Sequence, residues 1–137
     1  MSGTDTDRPM RGEQAAAISN LIVKLVNDYT GRGPTKARTY INEDVVTVVL
    51  QDTLTKGERS LVRDGKEELV LHTRMAYQQT MRADLVAGLE AISGRTVRAF
   101  LSANHMEPDI AIESFVLDGV STDGKRESAQ QTDGAVS

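Results

Sequence analysis

The chain reads as an α/β (α+β) domain: a four-stranded antiparallel sheet covered by helices, in the order α-β-β-α-α-β-β. Three observations predict this. Ala17, Ile18, Leu21, Ile22, Leu25 and Val26 recur at helical spacing. Val45, Val46, Val48, Val49 and Leu50 form a β-branched run behind a tight Asn42-Glu43-Asp44 turn. Two further extended stretches, 96–103 and 110–117, flank a short loop containing Pro108 and read as a second hairpin.

The elements follow in order. The first helix is expected over about residues 13–29. Gly31 and Gly33 end it, and Pro34 discourages its continuation. Arg38 to Ile41 is a short strand, paired with the valine run. That run is apolar at nearly every position, which predicts a central strand with both faces covered. Thr53 or Thr55 caps the next helix, and Thr55 has Glu58 at the spacing of a capping box. Leu54, Leu61 and Val62 give this short element an apolar side, and Gly65 ends it. The longest helix is expected over about 66–92. Leu71, Met75, Leu85, Leu89 and Ile92 form its sheet-facing stripe, with Met81 and Val86 at the margins. Gln78 and Arg82 interrupt that face, and Tyr77 sits further round, toward Val70. In the last hairpin Val97, Ala99, Leu101 and Ala103 share one face, with Phe100 on the other. Ile110, Ile112, Phe115 and Leu117 mostly alternate, with a bulge expected near Ser114.

Bulk properties narrow the function. A chain of 137 residues is one domain's length. Residues 1–11 are expected as a flexible leader, 12–118 as the domain and 119–137 as a flexible polar tail. Extra buried surface would help so small a core, and a homodimer is expected. Sixteen basic against twenty acidic residues give a net charge of −4. Bulk attraction to nucleic acid or anionic lipid is therefore not expected. With no cysteine, disulfides, thiolate catalysis and thiolate metal sites are excluded. The start shows no signal-peptide pattern and no stretch approaches a membrane-spanning length, so a cytoplasmic location is expected.

The candidate binding site is Gly31-Arg32-Gly33-Pro34-Thr35-Lys36-Ala37-Arg38. Three cations and no acid sit there between a helix and a strand. Gly31 and Gly33 permit turns whose exposed amides cradle an anion. Arg32, Lys36 and Arg38 would add charged donors, alongside Thr35. The alternative is a solvated loop whose cations offset Asp28, Glu43 and Asp44. The helix–glycine–strand order is the reverse of a Walker phosphate loop.

Weaker candidates lie elsewhere. His105, Glu107 and Asp109 alternate within one loop and could approach one metal ion, though turn chemistry explains them equally well. No catalytic residue and no cofactor are assigned. His72 reads as a half-exposed surface residue. Arg82 is expected to pack its stem, pair with Asp84 or Gln78, or meet a partner. Tyr29 and Tyr40 flank the basic corner, and Phe100 could stack a base or meet a helix. An enzyme combining the corner with His105 and an RNA-binding sheet face are the alternatives to an accessory protein that binds an anion or an acidic partner.

The residues also resemble a family. Gly12-Glu13-Gln14 with Ile18-Ser19-Asn20, then Tyr29-Thr30-Gly31 continuing through Arg38, look like the start of the MpsC-type domain. Val48 through Glu58, Ser93-Gly94-Arg95, Val97 through Ser102, and His105 with Pro108-Asp109-Ile110-Ala111 and Phe115-Val116-Leu117 are similar to its later blocks. The match covers about residues 12–118. It implies a small bacterial protein tied by the family's name to a sodium-translocating, membrane-potential-generating system. It supplies no catalytic residues.

Overall fold

The computed structural model describes residues 3–119, with side chains from residue 11 onward. Met1 and Ser2 of the expected leader, and all of the expected tail after Gly119, lie outside the described residues. The elements are α1 (Gly3–Thr30), β1 (Lys36–Asn42), β2 (Val45–Gln51), α2 (Lys56–Arg63), α3 (Glu67–Ser93), β3 (Val97–His105) and β4 (Ile110–Leu117). The strands form one antiparallel sheet in the order β1-β2-β4-β3. The α-β-β-α-α-β-β order and the four-stranded sheet agree with the sequence reading.

Local chemistry explains where elements stop. Gly31 adopts φ 81° and its amide donates to the Asn27 carbonyl at 2.8 Å, closing α1 in a left-handed turn. Thr55 caps α2: its hydroxyl accepts from the Glu58 amide at 3.1 Å, and the Glu58 carboxylate accepts from the Thr55 amide at 2.8 Å. α1 starts well upstream of residue 13, and its packed stretch begins near Ile18.

The core lies between the sheet and α1 and α3. Ile18, Ile22 and Val26 face Val46, Val48 and Leu50, with Met81, Leu85, Leu89, Phe115 and Leu117 completing it. Gly88 lets the two helices approach. A Cβ there would sit 2.6 Å from Leu21 Cδ2. A satellite cluster of Leu54, Val70 and Met106, with Leu61 and Val62, anchors α2.

Three expectations differ from the structure. The stripe on α3 is Val70, Arg74, Gln78, Met81, Leu85 and Leu89. Met75 and Arg82 are exposed, because the helix presents Arg74 and Gln78 to polar partners on its inner side, while Leu71 is half-buried against the Leu54, Val70 and Met106 cluster. β2 is central, but the helices cover one side only, so Val45 stands open. β4 runs regularly. It buries Ala111, Glu113, Phe115 and Leu117, and the irregularity lies in β3 between Val97 and Ala99. Ile110 and Ile112 therefore face outward.

Phe115 is completely buried at the centre of this core. Phe115→Ala is expected to cost about 3–5 kcal/mol, measured as a lowered urea midpoint at unchanged slope.

Candidate functional site

The chain leaves α1 through Gly31–Pro34 and enters β1 at Lys36, so the predicted corner forms one turn at a sheet edge. Its backbone is already engaged. The Arg32 amide donates to Thr30 Oγ1 at 3.3 Å and the Thr35 amide to the Gln51 carbonyl at 3.1 Å. Pro34 has no amide hydrogen to offer. Gly33 packs on α1, where an added Cβ would lie 3.4 Å from Asn27 Cβ. The amide cradle imagined for Gly31 and Gly33 is therefore largely spent.

The cations divide into two groups. Arg32 Nη2 pairs with Asp52 Oδ2 at 2.7 Å and its Nε donates to the Asp52 carbonyl at 3.2 Å. Arg59 of α2 holds the other Asp52 oxygen. Partial burial pushes the Asp52 carboxyl up, but the Arg32 hydrogen bond, the charges of Arg32 and Arg59, and Thr35 outweigh it and hold the group below its usual range. The counter-charge is thus Asp52. Of the acids expected in that role, Asp28 is paired with Lys24 at 2.8 Å and Asp44 is held by Arg95. Lys36 and Arg38 differ from Arg32. Both are exposed, both point to the outer side of β1, and neither forms an ion pair among the described residues. With Thr35, Tyr40, Val49 and Gln51 they border a depression of about 610 Å³.

Strand register extends this corner into a flat surface. Lys36, Gln51, Ile110 and His105 form the first rung of the outer sheet face. Arg38, Val49, Ile112 and Ala103 form the next. Tyr40, Thr47, Ser114 and Leu101 form the third, with Thr47 Oγ1 and Ser114 Oγ 3.3 Å apart. Asn42, Val45, Val116 and Ala99 form the last. No carboxylate stands on any rung.

The other candidates are not drawn to the corner. His105 shares a rung with Lys36 but lies on the opposite edge, three strand spacings or about 14 Å away. Its Nδ1 is 2.8 Å from the Pro108 carbonyl of its own turn. Asp109 accepts from Thr53 Oγ1 at 3.0 Å and from the Leu54 amide at 2.9 Å, fixing the start of α2. Among the described residues no group of three or more His, Asp or Glu side chains is placed to hold a metal. His72 is exposed. Phe100 faces inward and stacks on Phe115 at 4.9 Å, with the Arg82 guanidinium 5.6 Å over its ring. The exposed stacking ring that RNA binding requires of Phe100 is therefore missing from the outer face. Tyr29 donates to Asp84 at 2.6 Å, so Asp84 ties α1 to α3 rather than pairing with Arg82.

Sequence reasoning missed a buried polar cluster under α3. Arg74 donates to Thr53 Oγ1 at 2.6 Å and lies 3.4 Å from Glu58, with its Nε within ion-pair distance but without hydrogen-bond alignment. Glu113, only 3% exposed, accepts from Ser102 and from Gln78 Nε2 at 3.4 Å. Burial pushes the Glu113 carboxyl up to about 7, against the opposing pull of Ser102, Gln78 and Arg74. Strict alternation through 110–117 was the available signal, since it places Glu113 between Ala111 and Phe115.

The family model described as Na+-translocating membrane potential-generating system (MpsC) matches residues 10–119. The match contains the corner, the outer sheet face and the buried cluster. No curated protein and no solved structure matches the chain.

The raised Glu113 value fixes a pH dependence. The folded chain holds a proton there that the unfolded chain releases from about pH 4.5 upward. Its contribution is complete below that value and is lost as pH rises through about 7. The predicted loss is on the order of 3 kcal/mol. Urea titrations between these pH values should show the decline, and Glu113→Gln should flatten it. Asp52 acts oppositely and only in acid, where protonation removes its support.

Proposed function

The chain belongs to the MpsC family, and from that premise we propose that it is an accessory domain of a Na+-translocating, membrane-potential-generating system. In this reading it acts by docking on a negatively charged partner through Lys36 and Arg38. No helix among the described residues is long and apolar enough to cross a membrane, and the proposed role requires none.

The observation that carries this reading is the contrast between neighbouring cations. Arg32 is neutralised inside the fold by Asp52, whereas Lys36 and Arg38 present their charge side by side with no internal counterpart among the described residues. Two residues along a strand place them about 7 Å apart, close enough to act on one carboxylate cluster. Thr35 supports the corner through Asp52 rather than by contacting the partner. Gly31 and Gly33 shape the turn. Charged groups on an edge strand also discourage edge-to-edge pairing, and charge reversal separates the two roles.

Calorimetry with poly-L-glutamate provides the test. The wild-type chain should bind at low salt and weaken steeply as ionic strength passes about 0.15 M. Lys36→Glu with Arg38→Glu should lower the affinity by at least about tenfold. Arg32→Ala should leave it unchanged. Equal binding by wild type and the double variant would remove the proposed site.

A further inference from the structure

We propose that the whole outer face of the sheet is a docking surface for a protein segment whose apolar strip is bordered along one side by carboxylates. This rests on the reading of Lys36 and Arg38 given above, and it specifies the chemistry of the partner.

On either side of the central Thr47–Ser114 pair, the two middle strands of the face carry only apolar residues on the Val49–Ile112 and Val45–Val116 rungs. A sheet face open to water ordinarily alternates to polar residues. Here Leu101 is 57% exposed, Val45 40% and Ile112 38%, with Val49 and Val116 half-buried between them. β2 carries valine on both sides although the helices cover only one. Exposed apolar surface of this kind, interrupted on the middle strands only by the Thr47–Ser114 pair, is characteristic of interaction sites.

Charge selects the occupant. The chain carries twenty acidic residues, yet none stands on the four rungs of this face. Its two cations without an ion pair, Lys36 and Arg38, sit on β1, while on the opposite margin Ala99, Leu101 and Ala103 are uncharged and Arg98, in the β3 irregularity, is paired with Asp118 at 3.6 Å. A complementary partner therefore presents carboxylates on one flank only.

A second copy fits poorly. Two such faces stacked β1 on β1 would bring four cations together without an acid, and stacked β1 on β3 they would set Lys36 and Arg38 against the uncharged Ala99, Leu101 and Ala103. The geometric footprint, four strands by four rungs, is on the order of 450 Å². That is below the roughly 800 Å² per partner of a standard stable interface. An anionic bilayer fits no better, because surface attachment draws on a cluster of cations around an inserting apolar element, and this face is flat with two cations at one edge. The small footprint makes the contact a transient one.

Amide chemical-shift titration of the whole chain tests this with four probes. They are a helical peptide with a leucine stripe and glutamates along one flank, the same peptide with lysines instead, poly-L-glutamate, and phosphatidylglycerol vesicles. The glutamate-flanked peptide should shift amides of β2 and β4 and bind about tenfold tighter than the lysine-flanked one. Leu101→Ser with Ile112→Ser should weaken that peptide by about tenfold while leaving poly-L-glutamate binding and the melting temperature unchanged. If poly-L-glutamate binds but the serine variant holds the peptide normally, the wider face is refuted and the corner stands. If neither acidic probe binds, the corner fails as well. Saturation of the same amides by vesicles alone, or by self-association seen in light scattering, overturns the assignment to an acidic protein partner.

Discussion

Two long helices reach across only one side of the four-stranded sheet, and the rest of the molecule follows from that one-sided cover. α1 and α3 pack on the inward side chains of β2 and β4, where Val46, Val48, Leu50 and Phe115 are almost wholly buried. Each such side chain contributes about 1.5–3 kcal/mol on leaving water, so the inner face fixes the register of every strand. A slip of one residue would exchange the two faces. The outer face inherits whatever the alternation leaves behind. It holds β-branched residues, two cations and no acid.

Two carboxylates show how position governs charge in this fold. Asp52 follows β2 in a left-handed turn at φ 62°, partly open to water and held between Arg32 and Arg59. It stays ionised and removes Arg32 from the surface field. Glu113 lies under α3 with Ser102 and Gln78 as its hydrogen-bond donors, and burial raises its proton affinity. The same inner layer holds Arg74, which donates to Thr53 Oγ1 and is charge-paired with Glu58 while its Nε makes no aligned hydrogen bond. The polar inserts in α3 therefore link the helix to the α2 corner and to β4, at positions where an apolar stripe would have made no directional contact.

Much of the architecture was legible in the sequence because it depends on periodicity and local caps. The Ile18–Val26 stripe, the Val45–Leu50 run, the Thr55–Glu58 box and the glycines after α1 each act over a few residues. The faces of α3 and β4 were harder to read. Arg74 and Glu113 look like surface residues until Thr53, Glu58, Ser102 and Gln78 arrive from elsewhere in the chain. The supposed bulge at Ser114 came from assigning Ile110 and Ile112 to the core, whereas regular alternation turns them outward. At the corner, charge density was visible but its partition was not. Asp52 lies twenty residues from Arg32 in sequence, and only the β1–β2 hairpin brings them together. The apolar character of both sides of β2 was read as a covered strand, and that signal now falls on the open face.

Photocrosslinking in cells tests most directly whether that face is where the chain meets its partner. A photoreactive amino acid in place of Thr47, at the centre of the outer face, is compared with one in place of Thr80, exposed on the solvent side of α3. The expected result is an adduct from position 47 alone, mapped by mass spectrometry to a carboxylate-flanked apolar segment of another protein and strongly reduced by Lys36→Glu with Arg38→Glu. Adducts from position 80 alone, or adducts at position 47 whose yield is unchanged by Lys36→Glu with Arg38→Glu, would contradict this.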